Sequence, residues 1–273
     1  MIRPHRVALD CAPRALRHGE PYGYLPPKMF RTDHELALTL GWICDRQLFG
    51  RAYSALQPDY FWSMPRTSGV LLRPVVTTAR VTPGAVRPGD IDLLVVPYHG
   101  SELVLERTMA LEIKAIRASY TRQGKSPNEF GFSQAEGLST LGFPYVAVVH
   151  LIVSDGSPTH EWRIMQRARI LDEEGHVEML SPAPHDMLPA DLMDRAYGRL
   201  MANRRNSTHG VGAIYLERWS AEEGAFSSPA GYWMPSCHPA RANDRVSYEL
   251  LSRVASYCKR NLTSFLANPR FDP

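Results

Sequence analysis

The 273-residue chain has only four cysteines, Cys11, Cys44, Cys237 and Cys258, and no two of them stand at C-x-x-C spacing. That argues against a zinc ribbon or a disulfide-built scaffold. Cys237–His238 is the one adjacent soft pair, and it lacks the two further ligands that a tetrahedral ion needs. No run of apolar residues approaches the roughly 18 that a membrane helix requires. The first twenty residues hold no apolar segment of the secretory kind, so the reading is of a cytoplasmic protein that spans no membrane. Repeats and low-complexity tracts are absent. Neither sign of charge dominates: 31 Lys and Arg against 28 Asp and Glu leave a net charge of +3, which permits nucleic-acid binding without requiring it.

What is present is an ordinary globular composition, 44% hydrophobic and 22% charged, enough for a sizeable core. Residues 1–31 are rich in Pro, Arg and His and predict an arm over the core. Asp33 reads as a helix N-cap, with Leu36, Leu40 and Ile43 on one stripe and Gly50 as the stop. Residues 51–66 read as a loop. VLLRPVVTTARV predicts a strand or bent hairpin, and Pro83, Gly84, Pro88 and Gly89 mark turns. DIDLLVVPY (90–98) predicts a second strand, and residues 103–117 a third with a kink near Arg107–Thr108. A helix over about 127–141 follows, then YVAVVHLIV (145–153), an apolar run that marks a strand covered on both faces. Downstream the pattern predicts a helix over about 189–203, a strand within 211–219 and a long last helix from Asp244 to Phe265. The expected organisation is one α/β core over 32–165 with a mixed central sheet, and a C-terminal extension over 166–273 packed on it.

Chemistry concentrates in residues 88–117. Acidic side chains inside apolar strands are costly unless something compensates them. Alternation puts Asp90 and Asp92 on one face, with Ile91, Leu93 and Val95 on the other. It likewise puts Glu112 and Lys114 together, away from Leu111 and Ile113. Bringing the two strands side by side gathers two or three carboxylates and one ammonium. Like charges at short range invite a hard cation, and oxygen ligands suit Mg²⁺, with Mn²⁺ able to substitute. The carbonyl of Ile113, between the two charged side chains, offers a further ligand. The competing account is a surface hairpin with exposed cross-strand ion pairs. The unbroken run Leu93–Leu94–Val95–Val96 speaks against it, as in a strand covered on both sides.

G-D-I-D-L-L on one strand and L-E-I-K on the next resemble the PD-(D/E)XK nuclease superfamily over about residues 33–153. The resemblance implies a restriction-endonuclease-like sheet flanked by helices and Mg²⁺-dependent hydrolysis of DNA that leaves a 5′-phosphate and a 3′-hydroxyl. It assigns metal binding to Asp92 and Glu112, with Asp90 as accessory, and makes Lys114 the motif lysine that orients or activates water. Glu35 matches the acid that many members carry on the preceding helix, and Gln134 the glutamine that several branches carry on the following one. It also implies DNA rather than RNA as partner, and a possible homodimer or larger complex in a restriction or anti-phage setting. The rival expectations are a non-cleaving nucleic-acid or protein binding module on the same fold, and a hydrolase of small nucleotides.

Overall fold

The computed structural model describes residues 2–17, 19–84, 89–127, 129–217, 219–220, 225–226 and 233–270. The turn expected at Pro88 lies outside them. In chain order the elements are β1 (Arg6–Ala8), α1 (Pro27–Arg31), α2 (Glu35–Cys44), α3 (Arg46–Leu56), α4 (Pro58–Phe61), β2 (Ser68–Thr77), β3 (Asp90–His99), β4 (Glu102–Val104) and β5 (Met109–Arg117). Then come α5 (Phe132–Leu141), β6 (Tyr145–Val153), β7 (Arg163–Ile170), β8 (Val177–His185), α6 (Leu188–Asn203), β9 (Gly210–Tyr215), β10 (Trp219–Ser220), β11 (Ala225–Phe226), β12 (Ser236–His238), α7 (Tyr248–Arg260) and β13 (Leu266–Pro269).

The main sheet runs β1-β4-β3-β5-β6-β9-β12, with β2 on the other edge of β3 and β13 beyond β2. It is mixed. β3 is antiparallel to β2 and β5, while β5, β6 and β9 run parallel. Parallel neighbours need a crossover, and α5 and α6 supply them. Every residue of β6 is buried, as its continuous apolar run predicts. One face of the sheet packs on α2, α3 and α4 through Leu38, Trp42, Phe49, Tyr53 and Phe61. The opposite face packs on α5 and α7 through Leu138, Leu251, Val254 and Cys258. The chain is therefore an α/β protein with a mixed sheet between helical layers. Among the described residues, no helix is long and apolar enough to cross a membrane.

Several elements differ from the expectation. The single helix from Asp33 to Phe49 is two. Asp33 sits at φ +47, and His34 is the N-cap, its Nδ1 accepting the Leu36 N–H. Asp45 interrupts, because its carboxylate accepts the N–H groups of Gln47 and Leu48 and so starts a new helix. That helix passes Gly50 and buries Ala52, Tyr53 and Leu56, in what reads from sequence as a loop. The expected kink at Arg107–Thr108 is a full break, in which β4 gives way to a 3-10 turn at Leu105–Arg107 before β5. The last helix stops at Arg260, and residues 266–269 pair with β2 instead. The C-terminal third contributes β9, β12 and β13 to the main sheet.

Candidate metal and catalytic centre

Strands β3 and β5 pair at Val95–Met109, Leu94–Ala110 and Leu93–Leu111, and there the ladder stops. Beyond it the edge N–H groups of β5 need other partners. Asp92 supplies the first, its Oδ2 accepting the Ile113 N–H at 2.7 Å. Glu35, in the first turn of α2, supplies the second, its Oε2 accepting the Ala115 N–H at 3.1 Å. N–H and C=O of one strand residue project to the same edge, so the Ile113 carbonyl faces this opening too.

The divergence coincides with an irregularity in β2. Val75, opposite Asp92 in the β2–β3 register, has φ +50, a conformation that β-branched residues almost never adopt. Alternation along β3 changes at this level. Leu93 and Val95 share a face as expected, and it packs on the α2–α3 side, but Ile91, expected with them, packs with Leu94 and Val96 on the opposite side. Asp90, at the start of the strand, is exposed.

Glu112 and Lys114 project to the α5 side. Glu112 is completely buried, and Lys114 Nζ lies 2.5 Å from its Oε1. This contact is an ion pair, and neither Glu112 oxygen has a hydrogen-bond donor of good geometry. Gly131, the residue before α5, roofs the pair. Its φ is +91, and a Cβ there would stand 2.8 Å from Glu112 Cγ and 3.7 Å from Lys114 Cγ. On the other side of this turn a cavity of about 860 Å³ opens, lined in part by Phe130, Phe132, Ser133, Asn203 and Arg205.

Burial, then the Asp92 charge, pushes the Glu112 carboxyl up to about 8. Burial also raises Asp92, against the pull of the Ile113 N–H and Lys114. Glu35 is raised by burial and by Asp92. Lys114 loses solvation, yet Glu112, Glu35 and Asp92 together hold its proton more firmly than in water. Carboxylates outnumber the ammonium three to one in a desolvated space, so the cluster favours protons or a further cation. A divalent ion fits the residues present: the donors are all oxygen, and the buried Glu112 carboxylate is engaged only by Lys114 and Asp92 of the same cluster.

Of the residues expected from sequence, the fold brings together Glu35, Asp92, Glu112, Lys114 and the main chain of Ile113. Gln134 is half-buried on α5, and no described residue hydrogen-bonds its amide. Among the described residues, one group of three side chains has ligand atoms within 4.8 Å of one another, Asp172, Glu174 and His176, on the exposed turn between β7 and β8.

His150 was not anticipated. It is the β6 residue in register with Lys114, fully buried, with Nε2 donating to the Phe130 carbonyl at 3.2 Å and its ring stacked on Phe130. Burial brings its pKa down to about 4. The available signal was an ionisable residue inside YVAVVHLIV.

No protein-family model, curated protein or solved structure matches the chain.

Proposed function

We propose that the chain is a metal-dependent nuclease with a restriction-endonuclease-like core, hydrolysing phosphodiester bonds in DNA with Mg²⁺ at the β3–β5 opening. The observation that carries this reading is the placement of Asp92 and Glu112 about one opening in the sheet, with Lys114 in contact with Glu112. The order from α2 to β6, helices α2–α4, strands β2–β5, helix α5 and strand β6, in which β5 and β6 are parallel across α5, supports it.

Asp92, Glu112 and the Ile113 carbonyl would hold the ion, and exposed Asp90 stands at the approach to them. Bound there, a divalent cation would lower the pKa of water and offset phosphate charge. Lys114 stays protonated in this company, so its ammonium can donate to a phosphate oxygen or orient a water. Glu35 holds the Ala115 N–H and keeps α2 against the end of β5.

The test is an assay on end-labelled single- and double-stranded DNA with Mg²⁺ or Mn²⁺ titrated in, beside the Glu112→Ala protein. Cleavage that requires the cation and disappears in the variant supports the reading. Tight binding without cleavage at any cation concentration would assign the fold to a binding module, and hydrolysis of nucleotides alone would assign a small-molecule hydrolase.

A further inference from the structure

A cleft of about 650 Å³ lies between α7 and the 3-10 turn Thr78–Arg80 that follows β2, and the charged residues lining it are all cations: Arg80, Arg253, Lys259 and Arg260. Pro83 and Ser256 complete the lining, and among the described residues no acid joins them. Arg253, Ser256 and Arg260 recur at i, i+3 and i+7, so one side of α7 presents them together. Glu249, one turn back on α7, pairs with Arg253, and Arg260 Nε donates to the Ser256 carbonyl. Arg80 and Lys259 are exposed and make no ion pair among the described residues. Lys259 and Arg260, in the last turn of α7, suit the helix dipole whatever lies beyond. That does not account for Arg80, from another element, or for Arg253, in mid-helix, lining the same space.

The cleft and the acidic centre share one end of the sheet. β3 is antiparallel to both β2 and β5, so the end of β2, the start of β3 and the end of β5 lie together. Thr77, three residues before Arg80, pairs with Asp90, and the Thr78 N–H donates to the Gly89 carbonyl. α7 covers the same face of the sheet as α5, the side to which Glu112 and Lys114 project. With strands about 4.8 Å apart, Arg80 stands on the order of 15 Å from the opening between Asp92 and Glu112. One DNA strand covers that distance with roughly four or five phosphates. Clustered cations without an acid suit a polyanion, which gains by releasing its condensed counterions. A protein partner would call for a large apolar anchor, which the cleft lacks. A membrane surface would call for apolar side chains beside the cations. We propose that this cleft holds the phosphate backbone of DNA on its way to the β3–β5 opening, with Arg80, Lys259 and Arg260 as the phosphate contacts; that the polyanion is DNA rests on the nuclease reading above.

Binding in EDTA tests this without any cleavage. Fluorescence anisotropy of short labelled DNA, duplex and single-stranded, is read against the full chain from about 50 to about 200 mM salt. Arg80→Glu and Lys259→Glu should each weaken binding about tenfold at about 0.1 M salt, and lower the slope of log affinity against log salt by roughly 0.7 to 0.9. Arg66→Glu makes the same charge change in the exposed loop before β2, at the opposite end of the sheet, and should leave both nearly unchanged. Circular dichroism should show the fold intact in all three. Should Lys259→Glu disturb the end of α7, Arg80→Glu decides alone. Equal losses in all three variants overturn the proposal, because net charge would then account for binding. Binding that neither cleft variant weakens overturns it too, as does the absence of DNA binding at the lowest salt. Phosphatidylserine vesicles bound through Arg80 and Lys259 by a chain that ignores DNA would overturn it in favour of a membrane surface. The nuclease reading fails separately. DNA held through Arg80 and Lys259 but never cut with Mg²⁺ or Mn²⁺ keeps the cleft and removes the reaction, whereas cleavage with KM unmoved in both variants keeps the reaction and removes the cleft.

Discussion

Asp92 accepts the Ile113 N–H at 2.7 Å, in the position a β3 main-chain acceptor would fill if the β3–β5 ladder ran one step further. The carboxylate therefore has two separable jobs, closing the sheet edge and supplying negative charge. Asp92→Asn keeps an oxygen for the Ile113 N–H and drops the charge. Asp92→Ala drops both. Asn should leave stability within about 1 kcal/mol of wild type. It should also lower Mn²⁺ affinity by at least the roughly 10- to 100-fold that loss of an outer-shell partner costs. Ala should lose the same affinity and a further 1–3 kcal/mol or so, from a buried donor left unpaired. Calorimetric Mn²⁺ titration and urea unfolding read the two effects apart. Equal stability losses in both variants would mean that the hydrogen bond contributes nothing.

A buried Glu112 makes the metal-free protein sensitive to alkali. Its folded pKa of about 8 lies above the ordinary 4.5. A raised acid contributes stability below its unfolded pKa and loses it as pH rises through the folded value. His150, His99, His209 and His238 are all lowered, so their contributions fall away only as pH drops below about 6.5. Between pH 6.5 and 8.5 the Glu112 effect is thus seen without theirs. In EDTA the melting temperature should fall over that range, and Glu112→Gln should flatten the slope. Added Mn²⁺ should restore the wild type and leave Glu112→Gln less affected. A flat wild-type profile in EDTA would show that Glu112 ionises near its ordinary pKa.

Gly131 is a position where both backbone and space demand glycine. Its φ of +91 strains any L side chain, and an added Cβ meets the stem of Glu112 at 2.8 Å. Gly131→Ala should cost about 1–3 kcal/mol and displace Glu112 from its place beneath the turn. Reduced Mn²⁺ affinity alongside the stability loss would report that displacement. Gly124→Ala is the control, since a Cβ there meets nothing within 4 Å and φ is ordinary. Equal effects from the two substitutions would sink the argument.

How much of this arrangement the sequence disclosed depends on how local its causes are. β6 and most of β3 were legible because a strand buried on both faces cannot hide its composition. The convergence of Asp92 with Glu112 followed from two alternating strands in sequence. Ile91, expected with Leu93 and Val95, packs on the opposite face, and the change of face at Asp92 coincides with a valine at positive φ in the neighbouring strand, which nothing in a Val-Val-Thr run announces. The α2–α3 break was in principle readable from Asp45, but the apolar period runs through it. β1, β12 and β13 are short strands defined by distant partners, and their residues carry no alternating pattern long enough to detect. The β7–β8 ribbon went unseen for a related reason: with almost no buried face, it has no periodicity imposed by a core.

His150 links the two layers of the centre, and its substitution distinguishes a positioning role from plain packing. The Phe130 carbonyl it meets is an acceptor only, so Nε2 carries the proton and Nδ1 is the bare nitrogen, which is buried without a partner. With a pKa near 4 the ring is neutral at working pH and adds no positive charge beside Lys114. What it supplies is one hydrogen bond that holds the Phe130–Gly131 turn down on Glu112. His150→Gln can still donate to that carbonyl, whereas His150→Phe keeps the ring against Phe130 and loses the donor. Phe should therefore lower Mn²⁺ affinity and, if the chain cleaves DNA, kcat, with KM for the strand little changed. Gln should recover most of both. Stability should fall by about 1–3 kcal/mol in Phe, as for an unpaired buried acceptor. A role in packing alone would give the opposite order, with Phe tolerated and Gln harmful. An inflection near pH 6.5 in the activity profile that vanishes in His150→Gln would show the ring titrating in the working range, and a neutral clamp would then be the wrong description.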